Sequence, residues 1–238
     1  NLSELNLIDF YDFWLCEEIG FDKENIRKLN LKKSLPSDIS SLNIVVLTKT
    51  KKNYSNNNLP LFGIGDHIFK TFDDRPNLLT KREVRVQILA DLELPKNGVI
   101  WDIGAGCGSI GLEALKLRPN LDLFCIDKRI GSKALILENS KRLGVKPKFI
   151  FEEDIIKTLN TRNLSSFEKP NRLVIGGCDK KTKLQIINKL GHFMSSGDII
   201  VIPIIDIQTI KELKKELEDK NFKTNLNLIQ TYKSLSIA

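Results

Sequence analysis

Histidine and cysteine are scarce in this chain. Among 238 residues there are two histidines, His67 and His192, and four cysteines, Cys16, Cys107, Cys125 and Cys178, with no CxxC pair. So few ligands, so widely scattered, argue against a zinc site. Unpaired thiols fit a reducing, cytoplasmic compartment, where each acts as a small apolar side chain. No apolar run reaches the about 20 residues of a membrane-spanning helix, and no secretory signal pattern opens the chain. The first residue is Asn1 rather than Met, as expected of a piece of a longer chain. Disorder is also excluded, because 41% of the residues are hydrophobic and a chain of this length can bury a large core.

The net charge is +7, which favours anionic partners. The lysines are spread along the chain, with no basic stripe interleaved with aromatics, so nucleic acid is disfavoured as the partner.

Residues 1–52 stand apart. "FYDFWLCEEIG" is aromatic and apolar, and "SSLNIVVLTKT" reads as a buried strand ending in charge. The polar, Asn-rich "KKNYSNNNLP" reads as a linker, set at residues 53–60. In "NLLTKREVRVQILADLEL" a helix is expected from about Lys81. Thr80 and Glu83 would form a capping box, Val84, Ile88 and Leu92 would share one face, and Pro95 would mark the end. From Gly98 onward strands and helices alternate: "VIWDI", "LFCID", "KFIFEED", "RLVIGG" and "DIIVIPII" are strands, each followed by a helical pattern. "FKTNLNLIQTYKSLSI" then alternates with period two. This order predicts a mainly parallel sheet covered by helices on both faces. No internal repeat is present.

"WDIGAGCGSIGLEA" lies after the first of these strands and opens the first helix, where such sheets bind ligands. Gly104, Gly106 and Gly108 let the backbone turn sharply and approach a ligand. The spacing is GxGxG rather than the GxGxxG of dinucleotide sites, which disfavours a dehydrogenase. A plain strand-to-helix turn is the structural alternative. Asp127 ends the second strand, where a carboxylate can accept from both ribose hydroxyls. Asp154 follows the third, where an acid could accept from an adenine amino group.

Taken together, "LFGIGDHIF", "LTKREVRV", "WDIGAGCGSIGLEA" and "LVIGG" resemble the class I S-adenosylmethionine-dependent methyltransferases, and more narrowly the decarboxylating precorrin-6Y methyltransferases of cobalamin biosynthesis. The resemblance runs from about Leu59 to the C-terminus. It implies a Rossmann-like seven-stranded sheet with an antiparallel last strand, formed by a hairpin near residues 220–237, and commonly a homo-tetramer. The implied reaction is methylation of a corrinoid precursor (precorrin-6B or its cobalt form) at meso carbon 15, with loss of the ring C acetate as carbon dioxide. S-adenosylmethionine is the methyl donor; no metal-binding residues in the protein and no membrane are expected, and whether the substrate carries cobalt stays open. Residues 61–238 would be the methyltransferase domain. Residues 1–52, through "CEEIG" and "LNIVVLTK", resemble the tail of the tetrapyrrole (carbon-5) methylase domain often fused in front.

The resemblance also assigns residues. Gly104, Ala105, Gly106 and Gly108 would pack against the methionine part and ribose, Asp127 would hold the ribose and Asp154 the adenine. Thr80, Asp102, Ser109 and Gly176 would join them at the cofactor. Gly63, Asp66, Lys81, Arg82, Arg85 and Gly177 would meet the substrate, the basic residues from the exposed side of their helix; a merely solvated basic face is the alternative. Asp66 and Glu83 are the candidate acid-base groups, with His67 behind them as a surface-loop residue. The chain departs from the pattern at Gly65 (often Pro), Asp127 (often Glu), Cys107 (commonly Thr or Ala) and the longer, more charged "FKTFDDRPN". "IGGCDKK" lacks the Pro-Pro-aromatic element of base-amino methylases. An RNA or other small-molecule class I methyltransferase, and a non-catalytic scaffold of the same fold, stay open as alternatives.

Overall fold

The computed structural model describes residues 11–30, 35–49, 59–76, 78–161 and 167–232. The chain divides into two units, Asn1–Tyr54 and Ser55–Ala238.

In the first unit β1 (Tyr11–Glu17), β2 (Asn25–Leu29) and β3 (Asn43–Lys49) form an antiparallel sheet in the order β2-β1-β3. Phe13 and Leu15 of β1 are buried, as the alternation in "YDFWLCE" requires. Glu17 is buried with them; it accepts from Ser40 N at 2.8 Å and pairs with Arg27 Nε at 3.1 Å. The strand read in "NIVVLTK" exists, but Ile44, Val45, Val46 and Leu47 are exposed rather than buried: β3 is one of the two edge strands, paired only with β1, and these side chains on both of its faces are left uncovered. The expected linker falls mostly on residues outside the described ones.

The second unit holds α1 (Arg82–Asp91), β4 (Gly98–Ile103), α2 (Ser109–Leu117), β5 (Leu121–Asp127), α3 (Ser132–Leu143), β6 (Phe149–Glu152), α4 (Ile155–Thr161), β7 (Arg172–Ile175), α5 (Lys180–Leu190), β8 (Ile199–Val201) and α6 (Gln208–Glu218). All five strands are parallel, in the order β6-β5-β4-β7-β8. The chain leaves β4 for one side of the sheet, returns, and then builds β7 and β8 on the other. The C-terminal end of β4 is therefore the switch point of the sheet, where the flanking connections part and leave a crevice. Trp101, Ile103, Phe124, Ile126, Leu173 and Ile175 pack with Ile186, Ile187 and Leu213 from α5 and α6. On the opposite face α2 lies so close that a Cβ on Gly111 would sit 2.7 Å from Leu123 Cδ1.

Two expectations change. The described residues give five strands to this sheet rather than seven. Residues 222–232 form no strand, and Leu226, Leu228 and Tyr232 are exposed. A period-two alternation marks side-chain faces but supplies no hydrogen-bond partner. The rest of the expected hairpin, 233–237, lies outside the described residues. The expected cap position also moves: α1 starts at Arg82, and its N-cap is Lys81, one residue past Thr80; the Lys81 side chain makes no cap bond. The buried face of α1 is Arg85, Ile88 and Leu89, while Val84 is half-buried. Among the described residues no helix is long and apolar enough to cross a membrane.

Candidate active site

Three of the predicted glycines form the turn from β4 into α2. Gly104 and Ala105 donate their N–H groups to Ile126 O at 2.8 and 3.2 Å, and Gly108 N reaches Ala105 O at 2.8 Å. Gly104 has φ +72°, and a Cβ there would lie 2.3 Å from Gly176 O. Only glycine lets these two backbones meet, because L-residues are strained at this φ and the obstacle is main chain rather than a side chain that can move. Gly106 has φ +58°, but a Cβ there would meet no protein atom within 4 Å. One glycine thus closes backbone on backbone, and the next leaves an open shelf.

Asp127, the last residue of β5, faces that shelf. Its Oδ2 accepts from Gly106 N at 2.7 Å and its Oδ1 from Arg129 N at 2.8 Å. Each carboxylate oxygen keeps lone-pair capacity for a hydroxyl. Asp102 sits behind the loop rather than on it. It is 1% exposed and accepts from Gly111 N at 3.0 Å. Burial pushes its carboxyl up to about 7; the Gly111 bond opposes the shift and the Asp127 charge adds to it. Asp102 therefore braces α2 against the sheet, and the direct cofactor contact expected of it is corrected to a supporting one. Ser109 is likewise buried at the start of α2.

A second segment, 63–70, is laid against this loop and its helix. Glu113 of α2 accepts from Gly63 N at 2.6 Å and Ile64 N at 3.2 Å. Asn139 of α3 accepts from Lys70 N at 2.7 Å, and donates to Lys70 O and to Cys107 O, both at 2.9 Å. Arg142 donates to Ile68 O at 3.2 Å. Asp66 opens a short 3-10 turn, Asp66–Ile68. One turn further, Arg129 lies 4.8 Å from the centre of the Phe72 ring, so the "FKTFDDRPN" segment rests beside the end of β5.

The remaining candidates separate. Arg85 is not on an exposed face. It is fully buried, its Nε 2.7 Å from Glu113 Oε2 and its Nη1 3.1 Å from Asp66 Oδ1, so direct contact with substrate is corrected to an internal role. A buried carboxylate on α2 needs a cation, and α1 supplies it. Lys81 and Arg82 are exposed as expected, and the Arg82 guanidinium lies over Gly63, 3.3 Å from where its Cβ would be. Glu83 is half-buried. Thr80 offers its carbonyl to Arg85 Nη1 at 2.6 Å. Asp154 caps α4: its Oδ1 accepts from Ile156 N at 2.9 Å and Lys157 N at 3.1 Å. Gly176 donates to Ile103 O at 2.8 Å, and Gly177 has φ +52° beside Gly104. Just beyond, Asp179 caps α5 through Thr182 N at 2.8 Å, and that bond holds its carboxyl below the usual range.

Sequence reasoning missed Glu113, Asn139 and Glu152. Glu152 accepts from Gly131 N and Lys133 N, both at 3.0 Å, at the start of α3. The one visible signal was Glu113 itself, a charge in "GLEAL" on a helix whose other residues there are apolar.

Comparisons with known proteins meet this geometry. A family described as "Precorrin methyltransferase domain" matches residues 71–235. A protein of Saccharolobus solfataricus named "Probable cobalt-precorrin-6B C(15)-methyltransferase (decarboxylating)" is 31% identical over 173 residues, covering 71% of this chain and 81% of its own. The Salmonella typhimurium "Cobalt-precorrin-6B C(15)-methyltransferase (decarboxylating)" is 26% identical over 140 residues, covering 59% of this chain and 68% of its own. Among solved structures, a precorrin-6y C5,15-methyltransferase from Geobacter metallireducens superposes with a TM-score of 0.60 at 29% identity, over 69% of this chain and 83% of that one.

Proposed function

This chain belongs to the precorrin methyltransferase domain family, and from that premise we propose that it methylates a corrinoid precursor of the precorrin-6B type at carbon 15, with decarboxylation of the ring C acetate. The observation that carries the proposal is the open shelf at Gly106, bounded by Asp127, at the switch point of the sheet. S-adenosylmethionine, when bound, supplies a methyl group already activated on a sulfonium. The protein's work is then to hold and orient. Gly106 and Gly108 offer backbone to the cofactor, Asp127 keeps lone pairs for the ribose hydroxyls, and Asp154 keeps its Oδ2 for the adenine. The α1 cations Lys81 and Arg82 are placed to meet substrate carboxylates. Gly176 and Gly177 leave the β7 end of the crevice flat, as a macrocycle needs. Asp66 and Glu83 are the acid-base groups of this reading. In the same reading the protein works in the cytoplasm, and residues 1–52 are the tail of a tetrapyrrole methylase domain, which supplies a reason for the uncovered apolar residues of β3.

The test is calorimetry with S-adenosylmethionine and with NAD on the wild type and on Asp127→Ala, followed by turnover of cobalt-precorrin-6B and its metal-free form. Micromolar binding of the methyl donor alone, weakened by the substitution, with carbon dioxide released alongside methyl transfer, is the expected result. A folded chain that binds neither ligand would overturn the proposal.

A further inference from the structure

Arg85 carries more of the site than a salt bridge requires. Its guanidinium is fully buried and donates to four groups: Glu113 Oε2 at 2.7 Å, Asp66 Oδ1 at 3.1 Å, Thr80 O at 2.6 Å, and Ile64 O. It also lies 4.7 Å from the centre of the Phe69 ring. Glu113, also fully buried, turns its second oxygen to the N–H groups of Gly63 and Ile64. Between them these two side chains hold N–H and C=O groups of the Gly63–Asp66 segment. Glu113 belongs to the helix that the glycine loop opens, and Asn139 ties Lys70 to Cys107 within that loop. Of the three charged groups only Asp66 reaches solvent, with 25% of its side chain exposed.

For stability alone such a pair is a poor choice, since well-packed apolar residues often do as well or better. What the fork of an arginine adds is direction: several fixed donors in one plane. We infer that Arg85 is a positioning residue, which aims the Asp66 carboxylate and fixes the Gly63–Asp66 segment against the helix of the cofactor loop. The inference rests on the methyltransferase reading above. Lysine at position 85 would keep the charge but reach only part of this set from one nitrogen.

The test compares Asp66→Asn, Arg85→Lys and the double variant. It reads S-adenosylmethionine affinity by calorimetry, kcat and KM with cobalt-precorrin-6B, and hydrogen exchange at the Gly63 and Ile64 amides. We expect kcat to fall at least tenfold in either single variant, with KM and cofactor affinity within about threefold of wild type. The double variant should lose no more than twofold further, since both changes remove one arrangement. Exchange at Gly63 and Ile64 should quicken at least tenfold in Arg85→Lys and stay unchanged in Asp66→Asn. Losses that multiply in the double variant, or full kcat in Asp66→Asn, would overturn the inference. Asp66→Asn removes only a partly exposed charge, so full kcat in it overturns the inference even where Arg85→Lys does not fold. If the wild type binds no methyl donor, the functional reading fails. The exchange measurement still judges the positioning claim, which is refuted if Arg85→Lys leaves both amides as protected as before.

Discussion

Gly104 and Gly106 are two residues apart and both hold positive φ, yet alanine at each should fail differently. At Gly104 the new Cβ would stand 2.3 Å from Gly176 O and 2.7 Å from Gly176 C, about 1 Å inside ordinary contact. The left-handed backbone costs a non-glycine residue about 1 kcal/mol. Relieving the clash pushes Gly176 away and loosens its 2.8 Å bond to Ile103 O, about 1–2 kcal/mol more for a buried group left without its partner. The total is about 2–3 kcal/mol, or a fall in melting temperature of about 6–10 °C for a unit of this size. At Gly106 the same methyl meets nothing. The stability loss is then the backbone term alone, about 1 kcal/mol and about 3 °C. That methyl would instead project onto the shelf beside Asp127, so cofactor affinity should fall at least tenfold. Thermal unfolding and calorimetry on the two variants read both quantities. Equal melting shifts would refute the reasoning about backbone approach, and unchanged S-adenosylmethionine binding by Gly106→Ala would refute the shelf as its site.

Asp127→Ala removes the acceptor of Gly106 N and Arg129 N together with the proposed ribose partner, so calorimetry should find cofactor binding weakened at least a hundredfold, and Asp127→Asn less so. Asp154 has a capping role and a proposed adenine role that separate by substitution: Asp154→Ala should lose about 1 kcal/mol of stability in denaturant unfolding. Asp154→Asn should keep the cap, and reduced cofactor affinity in it would then report the adenine contact. Asp102 gives a pH dependence whose sign is set by burial: the folded state holds its proton up to about pH 7, where an ordinary carboxyl has released it near 3.8. Its contribution to stability is therefore complete below about pH 4, declines as pH rises, and is gone above about pH 7, a swing of up to about 4 kcal/mol. Denaturant unfolding of wild type and Asp102→Asn should give a gap between them that shifts against the wild type from pH 4.5 to 7.5; a constant gap would refute the assignment.

The parts of this site that were legible in the sequence are those where one residue type answers one geometric need. Glycine at positive φ beside another backbone, and an acid at the end of a parallel strand, leave their marks at fixed offsets, and Gly104, Gly106 and Asp127 lie where those offsets place them. The helices from Ser109 onward were legible for the related reason that apolar spacing is dictated by the face a helix buries. The C-terminal stretch was not, for the described residues 222–232 form no strand where a hairpin was expected. "FKTNLNLIQTY" has the alternation of a strand, but pairing depends on a partner that alternation does not name.

Arg85 shows why the rest was hidden. Helical spacing places it with Ile88, Leu89 and Leu92 on the buried face, but its charge argues for the surface, and charge was the wrong guide. The deciding fact is Glu113, 28 residues away on another helix, whose burial makes an exposed Arg85 the costlier arrangement: a lone carboxylate in the interior costs several kcal/mol. Each residue taken alone reads as an exception, and only the pair, brought together by the packing of α1 on α2, is consistent. The pair in turn binds the 63–66 segment, which is neither helix nor strand before Asp66, against the helix that the glycine loop opens. A misplaced charge in an amphipathic helix is thus best read with a search for its counter-charge elsewhere in the chain, and here the odd glutamate of "GLEAL" was that counter-charge.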